Sequence, residues 1–87
     1  MTSQRVLVIE RSGPLREALV RVLVAEGHEV GEAEAGELEE RMTRFRPDVV
    51  VGDESCAPRA GGLARFVRIA KPVNMEELRR ALREGNR

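Results

Sequence analysis

Four charged residues of this chain have types and positions that could carry chemistry, and each follows an apolar run. Glu10 and Arg11 come after the first run, Asp53 after a later one, and Lys71 after the last. If these runs are parallel strands, their carboxyl ends meet at one edge of a sheet and gather two acids and two bases. A phosphoryl-handling pocket would use a carboxylate to accept phosphate and a lysine to pair with it. The alternative is a self-neutralising cluster of loop charges, and the spacing alone favours that alternative.

Four segments that would position these residues have the pattern of β-strands. Residues 6–9 and 49–51 are uninterrupted apolar runs, the second following Pro47, and such runs are typical of strands buried on both faces of a parallel sheet. Residues 30–34 mix Val30 with glycine and glutamates, which favours an exposed edge strand. Residues 66–69 predict a short last strand.

Three helices are predicted between and after these strands. The first opens at Ser12 and Pro14 and is ended by Gly27. The second covers 36–46 and has two acid-first pairs at a spacing of four: Glu37 with Arg41, and Glu40 with Arg44. The third opens at Asn74, which forms a capping-box pattern with Glu77. With a loop at 54–64, the alternation predicts one α/β domain over 1–87 with a small parallel sheet.

The composition limits the classes of partner. Fifteen basic and fifteen acidic side chains cancel, so no overall field draws the chain to nucleic acid or to an anionic membrane. The single cysteine, Cys56, excludes an internal disulfide, and no apolar run is long enough for a signal peptide or a membrane span. We therefore predict a cytoplasmic protein that recognises its partners locally. His28 is interpreted as a solvated turn residue.

Four segments resemble the receiver domains of two-component response regulators. They read Val-Leu-Val-Ile-Glu, Ala-Glu-Gly-His-Glu-Val, Arg-Pro-Asp-Val-Val-Val-Gly-Asp and Lys-Pro-Val-Asn-Met-Glu-Glu-Leu, and the resemblance covers residues 5–53 and 65–85. The resemblance implies a flavodoxin-like parallel sheet. It also implies that Asp53 is the phosphoacceptor position, that Glu10 is the first acid of a magnesium-binding pair, and that Lys71 contacts phosphate.

The chain departs from that family in its metal site and in its length. Arg11 stands where the family has its second acid, and a guanidinium offers Mg²⁺ no lone pair. Seventeen residues separate Asp53 from Lys71, whereas the family's third helix, fourth strand and fourth helix need roughly 30 or more. We therefore expect about four strands in the order 2-1-3-5 by the family's numbering, without those three elements, and no cofactor.

These features predict a pseudo-receiver: not an enzyme, but a signalling module that binds protein partners without being phosphorylated. Arg11 is expected to replace the metal as a fixed cation in a pocket with Glu10, Asp53 and Lys71. The first alternative is a working phosphorelay receiver that is phosphorylated on Asp53 and retains some use of magnesium. A lesser alternative is an arginine-dependent nucleic-acid-binding protein, which the zero net charge and the presence of only two aromatic residues disfavour.

A homodimer is also predicted, because the shortened chain has few helices to cover its sheet. One face of the strands at 6–9, 49–51 and 66–69 should have only helix 36–46 over it, leaving an apolar patch of roughly several hundred Å². A two-fold partner is the commonest way to bury such a patch. Val20 and Val24 of the first helix form a second, smaller candidate surface.

Overall fold

The computed structural model describes residues 3–52, 65–69 and 74–84. Its elements are β1 Arg5–Ile9, α1 Gly13–Ala25, β2 Glu29–Ala33, a 3₁₀ turn Ala35–Glu37, α2 Leu38–Phe45, β3 Val49–Gly52, β4 Arg65–Arg68 and α3 Met75–Glu84. The predicted alternation of strands and helices is confirmed for these residues, whereas the predicted loop at 54–64 lies outside them. None of the described helices has the length and apolar character needed to cross a membrane.

The four strands form one parallel sheet in the order β2-β1-β3-β4. Ile9 is in register with Gly52, and Val51 with Val67, so β1, β3 and β4 run side by side. The prediction of an α/β domain with a small parallel sheet is confirmed. Counted along the chain the order is 2-1-3-4; the expected 2-1-3-5 used the family's number for the last strand. The elements expected to be missing would fall between Gly52 and Arg65, outside the described residues.

The sheet separates two apolar clusters, because successive residues of a strand point to opposite faces. The larger cluster lies under α1 and α3 and buries Val6, Val8, Leu19, Leu23, Val49, Val51, Val67, Ile69, Leu78 and Leu82. The smaller cluster lies under α2 and buries Leu7, Ile9, Ala33, Leu38 and Val50. Each fully buried valine or leucine side chain contributes roughly 1.5–3 kcal/mol of transfer free energy. The sheet therefore contributes buried side chains to both apolar clusters.

The prediction that one face of the sheet is exposed is wrong for the central strands. No residue of 6–9 or 49–51 is more than 3% exposed, and Phe66 of β4 packs against the smaller cluster together with Met42 and Phe45 of α2. Val24 of α1, 55% exposed, is the only large exposed apolar side chain among the described residues. The homodimer stays a prediction, but the open sheet face on which it was based is not present.

The ends of α1 and α3 follow the sequence signals. Ser12 caps α1 by accepting the Leu15 N–H, Pro14 lies in the first turn, and Gly27 beyond the last turn has φ +92°, a conformation that favours glycine. Asn74 caps α3, since its Oδ1 accepts the N–H groups of Glu76 and Glu77 at 2.9 and 3.1 Å.

Helix α2 is shorter than predicted and begins at Leu38. The pair Glu40–Arg44 forms with a separation of 3.5 Å, but no Glu37–Arg41 pair is present among the described ion pairs. Glu37 lies in the 3₁₀ turn instead, and its Oε1 accepts the Glu34 N–H at 3.0 Å. The competing local hydrogen bond therefore explains why one of the two predicted pairs is absent.

Strand β2 lies at the edge of the sheet, as its mixed sequence predicts. Its central residue, Gly31, packs against α2. A Cβ atom there would lie 3.2 Å from the Phe45 ring and 3.4 Å from Leu7 Cδ1. Glycine therefore lets α2 approach this edge of the sheet closely.

Candidate functional site at the carboxyl end of the sheet

Glu10 follows β1 directly and is only 2% exposed. Its Oε2 atom accepts the Ser12 N–H at 2.8 Å, so the carboxylate folds back onto the turn that leads into α1. Charge-assisted bonds of this kind are stronger than neutral ones and fix the side chain in one orientation. The structure thus places the predicted acidic residue in a buried position at the carboxyl end of a central strand.

Arg16, which the sequence interpretation did not single out, is the cation that contacts this turn. Its Nη1 donates to the main-chain oxygen of Glu10 at 2.6 Å, and its Nε lies 3.2 Å from Glu32 Oε1. The Arg16 side chain is 22% exposed. The sequence did contain a signal for this role. Arg16 lies one turn beyond Ser12, and side chains in the first turn of a helix that follows a strand are still close to the carboxyl end of the sheet.

Arg11, predicted to be the fixed cation of the pocket, is exposed. None of the ion pairs found among the described residues involves its guanidinium. Its expected partner Asp53 lies outside the described residues, and so does Lys71. The pairing of Asp53 with Arg11 or Lys71 therefore stays a prediction.

The described ends of β1, β3 and β4 lie at the same edge of the sheet. Gly52, the last residue of β3 and the neighbour of Asp53 in sequence, is in register with Ile9, the neighbour of Glu10. The Ile69 N–H donates to the Gly52 oxygen at 2.8 Å, which aligns the end of β4 with the same edge. Within the described part of the chain, no three His, Cys, Asp or Glu side chains are grouped as metal ligands.

The opposite, amino end of the sheet carries a polar network that sequence interpretation missed. Gln4 is 6% exposed and donates from Nε2 to the main-chain oxygen of Leu82, near the end of α3. Arg65 donates to the oxygens of Ala81 and Leu82 at 3.1 and 3.4 Å. The Gln4 N–H donates to His28 Nδ1 at 3.2 Å, so half-buried His28 is a structural acceptor and its interpretation as a solvated residue is wrong.

Arg5 is the second part of that network. Its guanidinium donates twice to the main-chain oxygen of Phe45, at the end of α2, and pairs with Glu29 at 2.6 Å. Its Cζ also lies 4.4 Å from the centre of the Phe45 ring, in cation–π geometry. The Arg5 N–H donates to Asp48 Oδ2 at 2.8 Å, which ties β1 to the turn before β3. The sequence offered no local signal for these contacts, since they span 24 to 43 positions.

Comparisons of the chain with protein-family models, with curated proteins and with solved structures find no match. We therefore infer the chemical properties of the carboxyl end from the side chains and main-chain groups described there. The buried Glu10 carboxylate is held by a main-chain N–H, and Arg16 is held at the same turn by the Glu10 main-chain oxygen and by the Glu32 carboxylate. This arrangement can hold a defined pattern of charge against a protein partner, or present a carboxylate to a cation.

Proposed function

We propose that this protein is a pseudo-receiver: a receiver-like signalling module with a flavodoxin-like sheet that binds protein partners without phosphorylation. The observation that carries the proposal is the anchoring of Arg16 to the Glu10 main chain and to Glu32. A protein-supplied cation at this edge contributes positive charge of the kind that a phosphorylatable receiver obtains from Mg²⁺, and Glu32 offsets part of that charge. Arg11, in the place of the family's second acid, adds a further positive charge and no metal ligand.

The fold supports this proposal at the level of its parallel sheet. The order β2-β1-β3-β4 corresponds to the family's 2-1-3-5 if the last strand is matched to the family's fifth. In this proposal the family's third helix, fourth strand and fourth helix are lost from the short segment between β3 and β4. Asp53 keeps the phosphoacceptor position and Lys71 the phosphate-contact position, but both act as members of a permanent charge cluster. The partners are proteins of a cytoplasmic signalling pathway.

A working phosphorelay receiver is the second candidate, and the position of Glu10 favours it. Its carboxylate lies at the carboxyl end of β1 and is held in one orientation by the Ser12 N–H, so it could supply an oxygen ligand to a metal or to a metal-bound water. This candidate requires Mg²⁺, whereas the pseudo-receiver does not. The two candidates therefore differ in a measurable dependence on metal.

Phosphorylation can be tested by incubating the protein with a small acyl-phosphate donor and Mg²⁺ and measuring its intact mass. We expect no phosphorylated species, and we expect Arg11→Asp to bind Mg²⁺ better than the parent because it restores an oxygen ligand. Asp53→Asn is the matched control for donor chemistry at other residues. A phosphorylated parent with an unmodified Asp53→Asn variant would establish the phosphorelay candidate instead.

The structural role of Asp53 has its own test. If Asp53 pairs permanently with a base, Asp53→Ala leaves that base without its partner and lowers thermal stability even in the absence of donor and metal. Glu17→Ala, an exposed acid on α1, controls for the general loss of one negative charge. Equal melting temperatures for Asp53→Ala and the parent would show that the charge cluster is solvated and would contradict the pseudo-receiver pocket.

A further inference from the structure

The outer edge of β2 presents main-chain groups that the sheet does not use. The Glu29 N–H donates to the Gln4 oxygen of the β1 chain at 2.9 Å, and alternate residues of a strand direct their main-chain groups to the same side. Residues 29, 31 and 33 therefore bond to β1, and Val30 and Glu32 direct their N–H and C=O groups outward. In the described part of the chain, no hydrogen bond is found for these four outward groups.

This edge has only one of the features that usually discourage strand pairing, its two acidic side chains. Exposed edge strands are commonly protected by charged side chains, above all lysine, by proline or by a bulge. Strand β2 contains neither lysine nor proline, and its register with β1 is regular over all five residues. Its two acids are already neutralised by the same chain, Glu29 by Arg5 at 2.6 Å and Glu32 by Arg16 at 3.2 Å. Repulsion between two such edges is therefore reduced.

We propose that β2 is a homodimer interface, at which two copies of this chain join their sheets through an antiparallel β2–β2 ladder. The proposal goes beyond the pseudo-receiver function and does not depend on it, since it needs only the edge strand. The other surfaces that could bury apolar area are limited, because the central strands are covered on both faces and Val24 is the only large exposed apolar side chain described.

The chemistry of β2 selects one register for this ladder. With the two-fold axis at Gly31, Val30 of each copy lies opposite Glu32 of the other, and all four outward groups of each copy are satisfied by four hydrogen bonds in total. Shifting the axis to residue 32 sets two glutamates directly opposite each other, which is unfavourable. Shifting it to residue 30 pairs Glu32 with a residue outside the strand. The arrangement about Gly31 is thus the self-complementary one.

The shape of the edge agrees with this register. Gly31 has no side chain to collide at the two-fold axis, and the small Ala33 faces Glu29 of the other copy. A groove of about 560 Å³ lies beside the carboxyl half of β2, between Arg16 and Glu32 on one side and Glu37 and Arg41 on the other. An added strand lies about 4.8 Å from β2, within reach of this groove.

The oligomeric state and the register can be tested together by light scattering and by cysteine pairing. We expect a mass of twice the 9.7 kDa chain at micromolar concentration. In a Cys56→Ser background, a mixture of Val30→Cys and Glu32→Cys chains should form a disulfide-linked dimer, because hydrogen-bonded antiparallel pairs have Cα atoms about 5.5 Å apart. Neither variant alone should form this disulfide, because in this register residue 30 is not opposite residue 30 of the other copy and residue 32 is not opposite residue 32. A monomeric parent, or a mixture that cross-links no better than the single variants, would overturn the proposal.

Charge substitutions at Val30 give a test that does not depend on cross-linking. Val30→Lys sets lysine opposite Glu32 of the other copy, whereas Val30→Glu sets acid opposite acid, and both variants lose the same valine contacts. We expect the dissociation constant of the Glu variant to exceed that of the Lys variant by about tenfold or more, because the pair occurs twice. Equal dissociation constants for the two variants would overturn the Gly31-centred register. Circular dichroism of both variants verifies that the chain keeps its overall secondary structure.

Discussion

The two ends of the sheet use polar side chains in different ways. At the amino end, Gln4, Arg5 and Arg65 donate to main-chain oxygens at the ends of α2 and α3. At the carboxyl end, the buried Glu10 carboxylate accepts one main-chain N–H, and Arg16 joins the Glu10 oxygen to Glu32. The amino end thus satisfies helix carbonyls that would otherwise lack partners, whereas the carboxyl end sets charged groups close to one another.

This difference separates the positions that hold the fold from those that could carry function. Main-chain oxygens at a helix end need partners whatever the protein does, so side chains that bond to them are expected to matter mainly for stability. A carboxylate and a guanidinium near one edge add little net stability, because the cost of desolvating them offsets much of their attraction, so we attribute their importance to their charge. Substitutions at the amino end should therefore lower stability more than substitutions at the carboxyl end.

The largest expected effect is that of Arg5→Ala. The substitution removes two hydrogen bonds to the Phe45 oxygen, the pair with Glu29 and the cation–π contact. We expect a loss of about 2 kcal/mol in the free energy of unfolding, a figure reduced for the partial exposure of the side chain. Denaturant unfolding measures it. Arg44→Ala, which breaks one exposed pair at 3.5 Å, is the control and should cost less than about 0.5 kcal/mol.

Gln4→Leu should give the next largest effect. Leucine fills the same buried volume but no longer donates to the Leu82 oxygen, which then depends on the 3.4 Å bond from Arg65. We expect a loss of about 1 kcal/mol. Hydrogen exchange should localise the loss to the last turn of α3, and protection there that is unchanged would mean that Arg65 alone is sufficient. Gln4→Glu introduces a buried charge and should be worse than leucine.

At the carboxyl end, Arg16→Met should cost less than either amino-end change. Methionine retains the apolar stem but loses the bond to the Glu10 oxygen and the pair with Glu32. We expect a loss of about 0.5–1 kcal/mol, measured by thermal unfolding. Arg21→Met on the exposed face of the same helix controls for loss of charge. A cost equal to that of Arg5→Ala would remove the distinction between the two ends.

The parts of the fold that were predictable from sequence are those with local causes. The apolar runs at 6–9 and 49–51 identified the central strands, and Ser12 and Asn74 identified two helix starts through hydrogen bonds to residues only two or three positions away. The position of Glu10 followed from its place directly after β1. Each of these features depends on a few neighbouring residues, so a single sequence contains the information.

The features that sequence analysis missed depend on register and packing. The contacts of Gln4 with Leu82 and with His28 join residues 78 and 24 positions apart, and no spacing rule identifies them. The contact of Arg16 with Glu32 exists because β1 and β2 are adjacent and α1 crosses above them. The expected exposure of the sheet was wrong because the number of helices does not determine how much of the sheet surface is buried. Residues 6–9 and 49–51 are buried on both faces.

The smallest expected effect is a gain in stability at the amino end, from Arg46→Gly. Arg46 ends α2 with φ 52° and ψ 62°, a left-handed conformation that costs a residue with a Cβ atom about 1–2 kcal/mol. Glycine removes that cost, but its greater freedom in the unfolded chain lowers the free energy of the unfolded state by about 0.4–1 kcal/mol. We therefore expect a net gain of about 0.5 kcal/mol and a small rise in melting temperature.

A matched change inside α2 supplies the control for Arg46→Gly. Arg44→Gly places glycine where the backbone is helical and should lower the free energy of unfolding by about 0.5–1 kcal/mol. Opposite signs for two arginines only two positions apart would show that backbone conformation, and not charge, determines the effect. If Arg46→Gly also lowers stability, then the Arg46 side chain contributes more to the amino end than its left-handed backbone costs. The contacts of Arg46 would in that case stabilise the amino end despite the positive φ of this residue.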